Sequence, residues 1–150
     1  MKHNILKDGQ FYNMIVQTTA GTTDLGPDLV LDTHGFNSVC WIGILDTVTA
    51  AGTAEMQHMH SDSTSTTDMV ATTAAVAGST ATTTDMDDKL LVLDVHEPEK
   101  RYVSVKFDKA TQNSETRAIG ILYNAHTAPT SQSTDQYGVA NSSFVQTPTT

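Results

Sequence analysis

Residues 89–123 carry the strongest structural signal in the chain, KLLVLDVHEPEKRYVSVKFDKATQNSETRAIGILY. In the second of three apolar runs, 101–107, the residues Val103, Val105 and Phe107 alternate with Tyr, Ser and Lys. An alternation with a period of two is typical of a half-buried β-strand. Because polar, turn-forming residues separate the three runs, the stretch predicts three consecutive strands that pair as an antiparallel meander.

The composition extends this β pattern to the rest of the chain. About one residue in six is threonine, and Lys and Glu, which favour surface helices, are scarce. A chain rich in Thr, Val and Ile with little helical periodicity indicates an all-β fold. The strand at 53–60 is less hydrophobic than its neighbours and is predicted to lie near a sheet edge. The other predicted strands are 10–19, 28–33, 38–47 and 69–73.

The chain divides into one domain and two arms. Its 150 residues are enough for a single domain with a hydrophobic core, which we assign to residues 10–126, after a short N-terminal arm at 1–9. The extended C-terminal arm, 127–150, is rich in Ser, Thr, Pro and Gln and cannot form a core of its own. We expect its isolated apolar residues to bind a partner subunit. They are Tyr137, Val139, Phe144 and Val145.

The charge of the chain limits its partners. The formal net charge is -9 and the pI is near 4.8. Such an acidic chain repels phosphate, and its eight Lys and Arg residues form no basic cluster, so we expect no nucleic-acid partner. No apolar run approaches the roughly 20 residues of a membrane helix, and the N-terminus has no signal-peptide pattern. These features predict a soluble protein that is made in a cytoplasm and has no membrane partner.

The most apolar segment is SVCWIGILDT, residues 38–47, and it contains the single Trp and the single Cys. We expect a central strand in which Trp41 is a core residue rather than a platform for a ligand. Cys40 is expected to be a buried small hydrophobe rather than a reactive thiol. With one cysteine there is neither an intrachain disulfide nor a cysteine metal site.

The chemistry-bearing residues do not form a recognised catalytic motif. His58 and His60 are two apart and would face the same side of a strand, so the pair could supply two metal ligands. No third ligand lies at a recognisable spacing, and we interpret the pair as half-exposed histidines on an edge strand. The acidic residues at 85–88 lack the glycine of a calcium loop. We therefore predict no enzyme activity, no cofactor and no metal.

Four short motifs together resemble small structural proteins of tailed-bacteriophage particles. The first is DTHGFNSV at 32–39, which is followed by an apolar strand. The next two are HSDS at 60–63 and KRYVSV at 100–105, and the last is HTAP at 126–129. The motifs occur in the family's order, and the match as a whole spans roughly residues 10–129. The similarity therefore rests on the combination of motifs rather than on any one of them.

The resemblance implies a β-sandwich or a jelly roll, and a role on the virion as a capsid decoration, or cement, protein. Such a protein would bind the major capsid protein on the outer capsid surface, form a homotrimer and be assembled in the host cytoplasm. Two alternatives stay open at this point. One is a receptor- or glycan-binding module of a phage fibre or tail, and the other is a metal-dependent jelly-roll enzyme that uses His58 and His60.

Overall fold

The computed structural model describes residues 5–15, 23–45, 53–79, 88–109 and 116–127. In these ranges the chain forms eight β-strands, one short helix and one 3-10 turn. The elements in chain order are α1 (Ile5–Asp8), β1 (Gln10–Ile15), β2 (Leu31–Asp32), β3 (Phe36–Leu45), β4 (Thr53–Ser61), the 3-10 turn (Thr66–Asp68), β5 (Val70–Ser79), β6 (Leu90–His96), β7 (Tyr102–Lys109) and β8 (Thr116–Ala125).

Two four-stranded antiparallel sheets make up the sandwich. The first sheet has the order β1-β8-β3-β6 and the second sheet has the order β2-β7-β4-β5. The pairs β1–β8, β2–β7, β3–β6 and β4–β5 are all hydrogen-bonded. Apart from the β4–β5 hairpin, successive strands alternate between the two sheets. This nested pairing is that of an eight-stranded jelly roll, so the predicted all-β sandwich with jelly-roll topology is confirmed.

The predicted meander within residues 89–123 is wrong. β6 and β8 both pair with β3 in the first sheet, whereas β7 lies between β2 and β4 in the second. Each link therefore crosses from one layer to the other, a distance of roughly 10 Å. The side-chain period of a strand is the same in either layer, which is why local alternation identified the strands but not their partners.

The core lies between the sheets and is centred on two aromatic rings. Trp41 and Phe107 are fully buried, as predicted for Trp41. Each ring occupies the space above a glycine: a Cβ at Gly120 would lie 2.7 Å from Trp41 Cζ3, and one at Gly43 would lie 2.5 Å from Phe107 Cζ. A glycine within a strand allows such a close approach, so the two rings fix where the sheets come together.

The predicted alternation in β7 is confirmed, because Val103, Val105 and Phe107 are all fully buried. β1 departs from simple alternation. Met14 and Ile15 are consecutive and both buried, and the register against β8 shifts between Asn13 and Ile15. An extra residue of this kind is a β-bulge, which turns two successive side chains toward the core.

Three expectations about individual elements need correction. β5 extends over ten residues, Val70–Ser79, rather than over 69–73. β4 is an interior strand between β5 and β7, not an edge strand, so the polar residues in its sequence do not indicate a position at the edge of the sheet. In the N-terminal arm, Ile5–Asp8 forms a helical turn that contacts β8.

Cys40 is half-buried rather than part of the core, so its predicted position is also wrong. On β3 it alternates with Val39 and Trp41, which point inward, and it therefore lies on the outer side of the first sheet. Burial, followed by the negative charge of Asp94, raises the pKa of the Cys40 thiol, which makes it a poor nucleophile. The predicted strand ends at 16–19 and 46–47 lie outside the described residues.

Candidate functional site

The first sheet has an unusual outer side, which we call the apolar outer face. On β3, Ile42 lies between Val92 of β6 and Ile119 of β8, and all three point away from the core. The apolar outer face consists of Ile42, Ile44, Leu90, Val92, Ile119 and Ile121.

Exposure is greatest where the face reaches the edge of the sheet. The side chains of Leu90 and Val92 are 58% and 53% exposed, which is high for large apolar residues. At the opposite side Ile121 is buried, and a Cβ at Gly9 would lie 3.5 Å from its Cγ2. The outward side chains of an antiparallel sheet in water are usually polar. A contiguous exposed apolar patch on such a sheet is typical of a protein–protein contact surface.

The outer side of the second sheet has the usual polar character. Glu55 of β4 pairs with Asp108 of β7, and Gln57 pairs with Lys106. Lys106 Nζ forms an ion pair with Asp108 Oδ1 at 2.7 Å. The apolar outer face is therefore a property of one sheet, not of the whole surface.

A cleft with a volume of about 570 Å³ opens between β5 and the loop that joins β6 to β7. We call it the histidine cleft, because three histidines lie along it. Its lining residues are His58, His60, Ala71, Thr72, Thr73, Ala74, Val95, His96, Glu97, Pro98 and Glu99.

A bulge in β5 accounts for the opening. Gln57 pairs with Ala75 and Met59 pairs with Ala71, so three residues of β5, 72–74, lie opposite His58 alone. The extra residues bend β5 away from β4. Their polar groups bond locally: Gln57 Nε2 donates to Thr72 O at 2.9 Å, and Thr72 Oγ1 donates to His58 O at 3.2 Å.

His58 is the most constrained side chain of the cleft. It is 2% exposed, and the Trp41 Nε1–H group donates to its Nδ1 at 3.0 Å. Burial, with a smaller contribution from the neighbouring His60, lowers the pKa of His58 to about 4. His58 is therefore neutral near pH 7.

The bond to Trp41 also determines which tautomer His58 adopts. An indole N–H can only donate, so His58 Nδ1 must accept, and the neutral ring carries its hydrogen on Nε2. His58 Nε2 has no hydrogen-bond partner among the residues that the structure describes. His58 Nε2–H is thus a buried donor that is unpaired within the part of the chain that the structure describes.

The same tautomer argues against His58 as a metal ligand. A ligating imidazole must offer a lone pair to the metal, and the free nitrogen of His58 carries a hydrogen. Within the described ranges, no group of three or more His, Cys, Asp or Glu residues is arranged to hold a metal ion. The prediction that the two histidines are half-exposed on an edge strand is nevertheless wrong: His58 is buried and β4 is interior.

The other histidines of the cleft face carboxylates. His60 Nδ1 is buried and lies 3.9 Å from Glu99 Oε2, too far for a hydrogen bond. His96 Nδ1 is 2.8 Å from Ser38 Oγ, and its Nε2 is 3.6 Å from Glu97 Oε1. Glu97 has a φ of 51°, and its N–H donates to Asn37 O. Left-handed backbone at a residue other than glycine is concentrated at binding sites.

Described residues from all four motifs of the phage resemblance bond to one another. Arg101 donates from Nε and Nη2 to the two oxygens of Asp32, at 2.8 and 2.6 Å, and Lys100 forms an ion pair with Asp62. The Arg101 guanidinium holds the pKa of Asp32 below its ordinary value. His126 N donates to Gly35 O at 2.9 Å. Lys100 and Arg101 therefore connect the β6–β7 loop to the end of β4 and to β2.

The predicted partner-binding residues Tyr137, Val139, Phe144 and Val145 lie outside the described residues. Within the described part, no helix is long and apolar enough to span a bilayer. The apolar outer face was missed, although a signal was present: residues 39–45 are apolar at successive positions, so both sides of β3 are apolar. Nothing in the local sequence placed Trp41 beside His58.

No protein-family model matches the chain, and no curated protein matches it. Among solved structures, the similar chains include one from Bacillus endospore appendages, which form disulfide-linked pili. It is 14% identical, the match covers 78% of this chain and 88% of that one, and the TM-score is 0.40. The SPBc2 prophage-derived protein YomS is 10% identical over 77% of this chain and 92% of its own, with a TM-score of 0.41.

A chain of the Israel acute paralysis virus pentamer is 7% identical, with coverage of 100% of this chain and 82% of that one and a TM-score of 0.41. The structural neighbours therefore include a prophage-derived protein, a chain of pili and a chain of a viral pentamer. At these identities and TM-scores the similarities carry no argument about the function of this chain.

Proposed function

We propose that this chain is a structural virion protein that decorates a bacteriophage capsid and stabilises it by binding the major capsid protein. The observation that carries the proposal is the apolar outer face. When another protein covers a large apolar sheet surface, the association is favourable. The hydrophobic free energy that is gained is proportional to the apolar area that is removed from water. The phage resemblance of the four motifs supports the choice of a virion as the assembly.

In this proposal the apolar outer face is the surface that contacts the shell. Leu90 and Val92 are its most exposed members and would lose the most accessible area in the contact. The C-terminal residues Tyr137, Val139 and Phe144, with Val145, would add further contacts with the shell. In a homotrimer three such sets act together, because the first contact raises the effective concentration of the others.

The test is a pair of matched substitutions assayed on purified particles. Val92→Asp places a charge in the apolar outer face, whereas Val70→Asp makes the same change on β5 of the second sheet, where Val70 is 61% exposed. A buried unpaired carboxylate costs several kcal/mol. Val92→Asp should therefore weaken particle binding by about a hundredfold or more, and Val70→Asp should leave it unchanged.

Occupancy is measured by gel densitometry of particles incubated with each variant. The predicted trimeric state of the chain is tested by native mass spectrometry. Equal occupancy of the two variants would contradict a shell contact through the apolar outer face. Absence of the wild-type chain from purified virions, tested by mass spectrometry, would contradict the virion role itself.

A further inference from the structure

The edge of the first sheet at β6 is regular and open. Of the four edge strands in the described part of the chain, β1 and β5 contain bulges and β2 has two residues. β6 instead pairs with β3 without a break in register, from Leu90 to His96. Proteins usually shorten, bend or cover such an edge, because it is the place where a further strand can add. The regular edge of β6 therefore indicates a docking surface for an extended segment.

The hydrogen bonds next to both ends of β6 show which of its backbone groups point to this edge. Leu45 N donates to Lys89 O at 2.9 Å, and Glu97 N donates to Asn37 O at 2.7 Å. In an antiparallel pair, residues that bond to the partner strand alternate with residues whose backbone groups point the other way. Odd-numbered residues of β6 therefore bond to β3. The N–H and C=O groups that point to the open edge, and that have no backbone partner within the described ranges, belong to Leu90, Val92, Asp94 and His96.

The C-terminal arm leaves the sandwich where it can reach this edge. β3 is antiparallel to both β6 and β8, so Ala125 at the end of β8 and His96 at the end of β6 lie at the same end of the sheet. Three strand spacings of about 4.8 Å, or roughly 14 Å, separate β8 from a strand added beyond β6. Residues 128–134 span up to about 23 Å when they are extended. A strand that begins near residue 135 can therefore run back along β6 in the antiparallel direction.

The sequence of the arm contains a segment that suits this edge. Residues 130–147 include no proline, so each of them has a backbone N–H to donate. Tyr137 and Val139 are two apart, so in a strand both face the same side. If that side is the outer one, the small residues Gly138 and Ala140 face inward, where β5 packs against β6. The large apolar side chains would then extend the apolar outer face by one strand.

Charge distinguishes between the possible registers of this pairing. If Val139 lies opposite Val92, Asp135 lies opposite His96, whose side chain is 63% exposed. A shift by two residues would place Asp135 opposite Asp94 instead. Like charges directly opposite each other destabilise a pair of strands, so the first register is favoured.

We propose that the C-terminal arm adds to β6 as a fifth, antiparallel strand of the first sheet, with Val139 opposite Val92. The new hydrogen bonds replace bonds to water, and ordering the arm costs conformational entropy. The pairing is therefore close to balanced in the free chain and contributes little to the free energy of unfolding. It does not depend on the virion role. Its consequence rests on the proposed function, because the added strand would widen the face that contacts the shell.

Disulfide trapping tests the pairing, because it detects a contact that is only partly populated. The full chain carries Val92→Cys and Val139→Cys in a Cys40→Ser background, and the disulfide is quantified by mass spectrometry in glutathione buffers. The Cα atoms of a hydrogen-bonded antiparallel pair lie about 5.5 Å apart, which suits a disulfide. The matched control combines Val139→Cys with Val70→Cys on the second sheet. The effective concentration of the first thiol pair should be at least about tenfold higher than that of the control.

The same chain tests the consequence on purified particles. In its oxidised form the arm is held against β6, so the cost of ordering the arm is already met. The oxidised form should therefore bind particles at least as tightly as the reduced form of the same chain. Binding is measured by gel densitometry of particles incubated with each form.

Equal effective concentrations in the trapping chain and its control would overturn the pairing. Disulfides between chains, in place of one within the chain, would show an arm that is exchanged between copies, and they would also overturn it. Weaker particle binding by the oxidised form would contradict the widened face. The trapping experiment uses no particles, so the strand pairing and the virion role can fail separately.

Discussion

The apolar outer face and the histidine cleft share one strand and have opposite chemistry. The outward residues Leu90 and Val92 of β6 belong to the face, while its last residues, Val95 and His96, line the cleft. The face is broad and has few groups that form directional bonds. The cleft is small and concave, and it contains a buried donor beside exposed carboxylates.

This difference separates two ways in which a β-sandwich recognises other molecules. A sheet face gains free energy in proportion to the area that it buries, and it tolerates changes that keep the area apolar. A cleft gains from a few hydrogen bonds that must be placed correctly, so single atoms decide its affinity. Substitutions in the two regions should therefore have effects of different kinds.

The largest expected effect is on the free energy of unfolding, which should respond differently to substitutions on the inner and on the outer side of β8. Gly120→Val adds side-chain atoms where a Cβ already meets Trp41 at 2.7 Å and Met14 at 3.1 Å, so it should lower the free energy of unfolding by about 3 kcal/mol or more. Ile119→Val, one residue away on the apolar outer face, should cost only about 0.5 kcal/mol. Urea unfolding followed by circular dichroism measures both. Similar losses would mean that the outer face is packed as tightly as the core.

The next effect concerns the stability of the cleft as a function of pH. His58 has a pKa of about 4 in the folded protein and about 6.5 in the unfolded chain. Between these two pH values the unfolded chain binds a proton at His58 that the folded protein does not. The contribution of His58 to the free energy of unfolding is therefore fully present above pH 6.5, and it is lost as the pH falls toward 4. The loss amounts to about 3 kcal/mol across that window.

Unfolding free energies measured at several pH values between 4 and 7 test this expectation. His58→Phe should flatten the profile in this range. The effect of Asp32, whose pKa is lowered from 3.8, falls at and below the bottom of the window. A wild-type profile that is already flat would show that His58 is not held neutral by burial.

Deletion of the C-terminal arm should have a smaller effect on stability. The deletion also distinguishes the role of the arm from that of the apolar outer face. Deletion of residues 128–150 should change the free energy of unfolding by less than about 0.5 kcal/mol, because the predicted arm contributes no core residue. Particle occupancy should nevertheless fall, since the deletion removes Tyr137, Val139, Phe144 and Val145. Unchanged occupancy would assign shell binding to the sandwich alone.

Much of the fold could be predicted from local patterns. The alternation of Val103, Val105 and Phe107 identified β7 and its buried side. The isolated Trp41 was expected in the core because it lies in the most apolar run, and it is fully buried there. These predictions hold because the side-chain period is a property of a single strand.

Strand pairing and the cleft could not be predicted in the same way. A crossing link and a hairpin link have similar polar compositions, so β6, β7 and β8 were assigned to one sheet rather than two. The bulge at 72–74 depends on the register of β5 against β4. The tautomer of His58 depends on Trp41, which is 17 residues away in the sequence and lies in the other sheet.

The central claim, that the apolar outer face is a contact surface, can be tested most directly by hydroxyl-radical footprinting. The chain is labelled free and bound to particles, and side-chain oxidation is quantified by mass spectrometry. We predict that Leu90 and Val92 lose most of their labelling on the particle while Val70 keeps its own. Equal labelling of Leu90 and Val92 in the two states would contradict the claim.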